Sequence, residues 1–208
     1  MARFQGPGRS EVHALNGVCA TSHPIGAKVA VEMLESGGNA VDAAIAGAVA
    51  LGVCEPHMTG IGGDMFALVK PAGTEEIVGI NASGRAPAGL DAARLRAAGR
   101  TAMPETTGDA SVVPGAIAGF ATLAGDYGLK GLDACLGPAI RYFEAGVPVA
   151  PRVGFDWRRN AERLSGAARA HYLADGEAPE TGMVFRTPAQ AELLRRIAAQ
   201  GPSAFYEG

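Results

Sequence analysis

The sequence of 208 residues has little of what marks several classes of protein. The sequence has three cysteines, Cys19, Cys54 and Cys135, and they lie far apart without a CxxC pair. This spacing supports neither a zinc knuckle nor a disulfide framework, so we interpret the three as buried free thiols. No apolar run reaches the ~18 residues that a membrane-spanning helix needs. Residues 1–10 lack the apolar core of a secretory signal. We therefore expect a cytoplasmic protein.

A concentrated basic face is also missing from the sequence. The net charge is -3 and the pI is about 5.8, so we expect neither nucleic acid nor an anionic membrane as a partner. With 48% hydrophobic and 19% charged residues, the composition is that of a folded protein and excludes disorder. No linker or repeat divides the chain, and we predict one domain portion over residues 1–208 without an internal boundary.

Two helices are predicted near the N-terminus. Residues 25–36 place apolar side chains on one helix face, and Gly37 and Gly38 end that helix. Asn39 then caps a second helix, with Asp42 as its capping-box acid. Every residue from 43 to 54 is Ala, Gly, Val, Ile, Leu or Cys. A helix that is apolar on all sides is buried on all sides, so we predict a central core helix.

The following segments predict a hairpin and more helices. Residues 65–70 and 76–81 alternate as two strands around the turn at 71–74. Residues 99–110 are polar and rich in turn residues, which indicates a surface loop. Helices are expected over 91–98, 114–127, 132–145, 157–164 and 188–199.

The loop at Thr59-Gly60-Ile61-Gly62-Gly63-Asp64 follows a helix and precedes a strand, whereas phosphate loops run from strand to helix. We interpret it as a tight turn that requires the backbone freedom of glycine. His57 and Asp64 flank it and could bind a metal or move a proton, but no second His stands at ligand spacing. Cys19 with His23 could form a thiol nucleophile and base, although buried structural roles are favoured. Neither pattern predicts a metal or a cofactor.

Arg85 is the charged residue that most invites a functional interpretation. It directly follows the second predicted strand, which delivers it to the end of the sheet, where a guanidinium can hold a carboxylate with two hydrogen bonds. A structural arginine that binds loop carbonyls is the equal alternative. The residues alone show no complete catalytic site.

Two motifs carry a family resemblance. GGNAVDAA at 37–44, followed by EPHMTGIGGD at 55–64, closely resembles the N-terminal part of the gamma-glutamyltranspeptidase large subunit. The resemblance continues through Ser22-His23-Pro24 and Val113-Pro114-Gly115 to Ala204-Phe205-Tyr206, so it covers almost the whole chain.

The resemblance implies an α+β fold, the four-layer αββα sandwich of the N-terminal-nucleophile hydrolases, of which this chain supplies only part. In that family one precursor cuts itself into two subunits, and a Thr at the new N-terminus of the small subunit is the nucleophile. No Thr of this chain corresponds to it: the threonines are Thr21, Thr59, Thr74, Thr101, Thr106, Thr107, Thr122, Thr181 and Thr187. We therefore expect a fragment that is inactive alone, needs the small subunit or remaining precursor as partner, and leaves its hairpin uncovered.

The sequence departs from the family at the substrate-binding arginine. Anchored on Ala86-Pro87, Ser83 occupies the position of the arginine that grips the donor carboxylate in the transpeptidases, and Arg85 stands two residues later. The resemblance implies acyl transfer from a small carboxylate-bearing amide, with γ-glutamyl, glutathione-like donors first. Within this chain, Arg85 is the residue that we expect to contact the substrate. An amidohydrolase or acylase of the same fold acting on another amide, or a non-enzymatic scaffold relative, are the alternatives.

Overall fold

The computed structural model describes residues 11–104 and 107–208; residues 1–10, on which the expectation about a signal segment rests, and Thr106 lie outside the described residues. The helices are α1 (Pro24–Glu35), α2 (Ala40–Cys54), α3 (Ala92–Ala97), α4 (Ala116–Tyr127), α5 (Leu132–Ala145), α6 (Pro151–Asn160), α7 (Gly166–Tyr172), α8 (Pro188–Gln200) and α9 (Ser203–Tyr206). The strands are β1 (Met65–Val69), β2 (Val78–Ala82), β3 (Val147–Pro148) and β4 (Val184–Phe185), and 3₁₀ turns lie at Gly108–Ala110 and Ala161–Arg163. Within the described ranges, no helix combines the length and hydropathy needed to cross a bilayer.

The chain forms two compact units. The first contains Met1–Gly60 together with Leu123–Gly208, and the second contains Ile61–Thr122. The first unit is mainly helical, whereas the second holds the β1–β2 hairpin. The absence of an internal domain boundary stays a prediction.

In the first unit, α1 and α2 begin and end as the sequence predicts. His23 caps α1, since its Nδ1 accepts a hydrogen bond from the backbone N–H of Ile25 at 3.2 Å. Gly37 follows α1 with a φ of +88°, a conformation that glycine adopts without strain. Asn39 and Asp42 form the predicted capping box at the start of α2. The capping residues and the glycine pair therefore predict the ends of these two helices correctly.

Helix α2 packs against α1 and α5, and its small residues allow the close approach that was expected. An added Cβ at Gly47 would stand 3.2 Å from the carbonyl oxygen of Gly26 in α1. The expectation that α2 is buried on all sides is wrong, however, because Ala40 and Ala44 are exposed. Hydrophobicity alone did not predict this uncovered stripe, since an apolar residue is compatible with either environment.

Asp42 anchors a later loop to the start of α2. Its carboxylate is fully buried and accepts backbone N–H bonds from Asn39, Leu129 and Lys130 at 2.9–3.1 Å. Burial by itself raises the pKa of Asp42, but the three backbone donors outweigh it and lower that pKa below the ordinary value. The charge is thus stabilised by the loop that it holds.

The C-terminal part of the first unit was predicted less well. Helices α5 and α8 match their predicted spans and pack together. Helix α6 begins at Pro151, six residues before its predicted start, because residues 152–182 are the most charged and least periodic part of the sequence. Gly154 within this helix allows it to approach Thr181, whose Oγ1 would stand 3.1 Å from an added Cβ. Helix α7 and the two-residue strands β3 and β4 are too short for a periodic pattern to reveal.

In the second unit, β1 and β2 form the predicted antiparallel hairpin, with Met65 paired to Ala82. The N-terminal end of α4 lies against this pair. An added Cβ at Gly119 would overlap the side chains of Met65 and Ala82, and one at Gly115 would overlap the carbonyl oxygen of Ala82. The helix therefore rests directly on the backbone of the hairpin end.

Two alanines of α2 provide a matched test of its environment. We expect Ala46→Asp in the 208-residue chain to lower the free energy of unfolding by about 3–5 kcal/mol, because Ala46 is fully buried and the new charge has no partner. Ala44→Asp, two residues away on the exposed stripe, should change it by about 0.5 kcal/mol or less. Urea unfolding measures both, and equal destabilisation by the two variants would contradict the observed helix orientation.

Candidate functional site

Arg85 lies just beyond the end of β2, as the sequence predicts. The strand ends at Ala82, so Ser83 and Gly84 form a short connection between the sheet and Arg85. Ser83, at the position of the family arginine, is exposed. The ladder of β2 ends at Ala82, so Ser83 and Arg85 both lie beyond the strand.

Hydrogen bonds hold the backbone of this connection on several sides. The N–H of Ser83 donates to Asn81 Oδ1 at 2.9 Å, and the N–H of Gly84 donates to Asp64 Oδ1 at 2.9 Å. The carbonyl oxygen of Arg85 accepts from the N–H of Val113 at 3.0 Å. The backbone around Arg85 is therefore held by contacts with two other segments of the second unit, at Asp64 and at Val113.

Gly84 brings two backbones into direct contact. A Cβ at this position would overlap the carbonyl carbon and oxygen of Val113. No other residue type fits there without displacing one of the segments, because the obstacle is backbone rather than a flexible side chain. The residue before Arg85 is thus fixed by packing as well as by hydrogen bonds.

The side chain of Arg85 is exposed, and its guanidinium has no hydrogen-bond or ion-pair partner among residues 11–104 and 107–208. By contrast, Arg94 in the same unit pairs with Asp109. The structural alternative for Arg85 required bonds to loop carbonyls, and the described part of the chain supplies none. A fixed backbone with an unpaired guanidinium is an arrangement suited to binding an external carboxylate.

The glycine loop before β1 differs from its predicted role in one respect. The chain turns at Ile61 and Gly62, as predicted, and the carbonyl oxygen of Gly63 accepts from the N–H groups of Gly115 and Ala116 at 3.1 and 3.0 Å. Neither Gly60 nor Gly62 has a positive φ, and an added Cβ at either would meet no atom within 4 Å. The prediction that these two positions need glycine for backbone freedom is therefore wrong within this chain.

The first unit holds a second group of polar side chains around Glu55. The buried carboxylate of Glu55 accepts a hydrogen bond from Ser22 Oγ at 2.5 Å. His23 is buried, and its Nε2 lacks a partner in the described residues. Burial lowers the pKa of His23, although the charge of Glu55 partly opposes this shift. With its Nδ1 capping α1, His23 has the structural role that the sequence favoured over catalysis with Cys19.

His57 pairs with a residue that sequence reasoning missed. Its Nε2 stands 3.8 Å from Asp156 Oδ2, and the imidazole is only 7% exposed. Burial lowers the pKa of His57; Asp156 and Glu55 act in the opposite direction, and Arg152 reinforces the lowering. Asp156 lies 99 positions from His57 in α6, and the only sequence signal for it was its i,i+4 pairing with Arg152.

A pocket of about 350 Å³ opens beside His57 in the first unit. Its walls include Trp157, Asn160 and Tyr172. None of its lining residues is a Ser, Thr, Cys or Lys, although His57 and Tyr172, residue types that can also act in covalent catalysis, line it. We assign no reaction to this pocket.

The thiols and possible metal ligands give no further site. Cys54 and Cys135 are buried and free, as expected, and burial raises the pKa of each to about 12, so neither is reactive. Cys19 is only half-buried, which corrects the expectation for that thiol. Across the described parts of the chain, no cluster of three or more His, Cys, Asp or Glu side chains is arranged to bind a metal.

Comparison with known proteins identifies the family of this chain. The family model described as Gamma-glutamyltranspeptidase matches residues 26–208. The glutathione hydrolase proenzyme of Bacillus subtilis is 32% identical over 198 residues, covering 93% of this chain and 34% of its own length. The oxamate amidohydrolase proenzyme of Klebsiella pneumoniae is 34% identical over 201 residues, covering 93% and 38%. The chain thus spans little more than a third of either relative.

A solved structure shares the fold. The crystal structure of the cephalosporin acylase from Bacillus halodurans superimposes with a TM-score of 0.89 at 39% identity, covering 99% of this chain and 40% of that one. The predicted fold class is confirmed: the chain mixes helices and strands as α+β and forms part of the N-terminal-nucleophile hydrolase sandwich.

The buried state of His57 predicts a pH dependence of stability. Its folded-state pKa is lowered from 6.5, so the unfolded chain takes up a proton first as the pH falls, and stability is lost below about pH 6.5. We expect His57→Gln to reduce this loss between pH 7 and pH 5, measured by denaturant unfolding. His23 titrates in the same direction, so some loss persists. His13→Gln, at a side chain 84% exposed, is the control; an identical effect of both variants would refute the assignment.

Proposed function

Because this chain belongs to the gamma-glutamyltranspeptidase family, we propose that the complete protein is an acyl-transfer enzyme acting on a small carboxylate-bearing amide. γ-Glutamyl, glutathione-like compounds are the first candidate donors. The family match over residues 26–208 is the observation that carries this proposal. The glutathione hydrolase and oxamate amidohydrolase names of the two relatives agree with an amide as the substrate class.

The proposed chemistry uses a threonine supplied from outside these 208 residues. Its hydroxyl attacks the amide carbonyl while its own α-amine, a base with a pKa near 7.7, removes the proton. The acyl group is transferred to the threonine as the amine departs, and backbone donors hold the oxyanion. Water or an amine acceptor then releases the acyl group. This mechanism requires no metal or cofactor, and within this chain we assign no catalytic residue.

Arg85 is the substrate-binding residue in this proposal. Its guanidinium is exposed and lacks partners among the described residues, while its backbone is fixed by Asp64 and Val113. A guanidinium binds a carboxylate through two parallel hydrogen bonds, which fixes the orientation of the substrate as well as its position. Binding the donor carboxylate here would place the scissile amide at a defined distance from the end of β2.

Ser83 favours a second candidate function. This exposed hydroxyl stands where the family resemblance implies an arginine, so recognition of a γ-glutamyl group is altered at one contact. The matches to an oxamate amidohydrolase and to a cephalosporin acylase support an amidohydrolase or acylase acting on a non-glutamyl amide. The reaction steps are the same in both candidates, and only the acyl group differs.

The hairpin supports the proposed partner, the small subunit or remaining part of the precursor. Phe66 and Leu68 on β1 are 66% and 80% exposed, although both are large apolar residues. Such a strand face is a liability in water and marks a surface that another layer covers. We infer that residues of the small subunit cover this face and complete the sandwich.

The assay that tests the function uses the complete protein with a γ-glutamyl anilide and with oxamate. Turnover of the anilide supports the first candidate, and turnover of oxamate alone supports the second. With whichever donor is cleaved, we expect Arg85→Ala to raise KM about tenfold or more, because hydrogen bonds to a charged group contribute about 1.5–3 kcal/mol. Arg85→Lys should retain part of the affinity, since it keeps the charge but loses the planar fork.

Arg96→Ala is the matched control for Arg85. Arg96 is an exposed arginine in α3 of the same unit, so its loss changes the net charge equally. If the KM of Arg85→Ala stays within twofold of the wild-type value, Arg85 does not bind the substrate. Turnover of neither donor, together with a downstream sequence that lacks the threonine, would favour the non-enzymatic relative.

The partner proposal predicts a processing defect. We expect Leu68→Glu in the complete protein to prevent stable association of two subunits, because it places a charge in the face that the second subunit covers. Mass spectrometry and gel filtration measure whether one precursor yields two associated chains. Leu129→Glu, at a leucine 72% exposed outside the hairpin, is the control. Normal processing and association of the Leu68 variant would overturn the assignment of the face.

A further inference from the structure

We propose that Asp64 is a positioning residue that sets the direction in which Arg85 meets the substrate carboxylate. The inference rests on the proposed function of Arg85. Asp64 immediately precedes β1, and its Oδ1 accepts the N–H of Gly84 at 2.9 Å.

The register of the hairpin explains why Asp64 is suited to it. The last ladder pair joins Met65 to Ala82, so Asp64 stands opposite Ser83 in the continued register. Beyond that pair the two backbones no longer form strand hydrogen bonds, and the carboxylate of Asp64 reaches the N–H of the next residue, Gly84. The Asp64 side chain thus joins the segment before β1 to the segment after β2, just beyond the last ladder pair.

Hydrogen bonds hold the backbone on both sides of the peptide that joins Gly84 to Arg85. Asp64 holds the N–H of Gly84, and the N–H of Val113 holds the carbonyl oxygen of Arg85. The backbone of Val113 leaves no room for a Cβ on Gly84, so the two backbones are in direct contact at this point. Removing the Asp64 acceptor releases one of the two ends and allows the Arg85 Cα–Cβ bond to reorient.

Asp64 also does not neutralise the arginine that it positions. Among the ion pairs of the described residues, none joins Asp64 to Arg85. The carboxylate acts on the backbone one residue away, and the guanidinium stays open to an external carboxylate. A charged acceptor also makes a stronger hydrogen bond to an N–H than a neutral one does, which suits an exposed position.

A double-mutant cycle in the complete protein tests this role. The variants are Asp64→Ala, Asp64→Asn, Arg85→Ala and the double variant Asp64→Ala with Arg85→Ala, assayed with the amide that the wild type cleaves. We expect Asp64→Ala to raise KM about tenfold with a smaller change in kcat, and Asp64→Asn to raise it less than threefold, because the amide oxygen still accepts the N–H. In the Arg85→Ala background, Asp64→Ala should change KM by less than twofold.

Asp91→Ala is the control for a merely structural effect. Asp91 is an exposed carboxylate of the same unit and accepts the backbone N–H of Ala93 at 2.8 Å, so it makes the same kind of bond away from Arg85. It should lower the melting temperature as much as Asp64→Ala does, without raising KM. Thermal shift with free L-glutamate and with oxamate as probes gives a second readout, which does not require turnover.

The outcomes separate the inference from the function on which it rests. An equal rise of KM from Asp64→Ala in both backgrounds overturns the positioning role, because Asp64 then acts without Arg85. A rise from Arg85→Ala but none from Asp64→Ala overturns the positioning role alone. If Arg85→Ala changes neither KM nor the thermal shift by either probe, the substrate-binding role of Arg85 fails, and the inference fails with it.

Discussion

Direct contact between backbones, with no side chain between them, is the constraint on which the candidate site depends. At Gly84 a Cβ would overlap the carbonyl group of Val113, and at Gly115 one would overlap the carbonyl oxygen of Ala82. These two contacts bring the end of β2 and the start of α4 together and leave no slack between them. Arg85 directly follows this junction, so its backbone position is set by the packing together with the hydrogen bond from the Val113 N–H to its own carbonyl oxygen.

In the first unit, a buried carboxylate connects two segments that are distant in the sequence. The charge of Asp42 is buried among backbone N–H groups of Asn39, Leu129 and Lys130, which ties the start of α2 to a loop nearly 90 residues later. A buried carboxylate is tolerated there because three backbone N–H groups donate to it. The family motif GGNAVDAA therefore has a physical basis in this chain: its Asn and Asp form the capping box, and its Asp also binds the distant loop.

Local signals predicted the elements well, and long-range contacts could not be predicted from them. The caps at Asn39 and Gly37 and the alternation of the hairpin lie within a few residues of the elements they define, so the sequence reveals them. The pairing of His57 with Asp156 joins positions in separate elements, and nothing near either residue encodes it. The exposed stripe at Ala44 was missed for a related reason. An apolar residue is compatible with a buried or an exposed position, so composition alone does not show which residues are covered by other elements. Arg85 was located correctly, but its support by Asp64 required the hairpin register.

The geometry around Arg85 bears on which carboxylate the site accepts. On a continuous strand, moving an arginine from position 83 to 85 would shift it about 6.6 Å along the same face. Here the ladder of β2 ends at Ala82, and the N–H of Ser83 donates to Asn81 Oδ1, so Arg85 lies three residues beyond the strand instead of on it. The backbone around Arg85 is held by the contacts with Asp64 and Val113 and not by strand pairing. Because a two-pronged contact between a guanidinium and a carboxylate tolerates little misalignment, the position of Arg85 beyond β2 is the feature of this chain that bears on the choice between the two candidate donor classes that we propose.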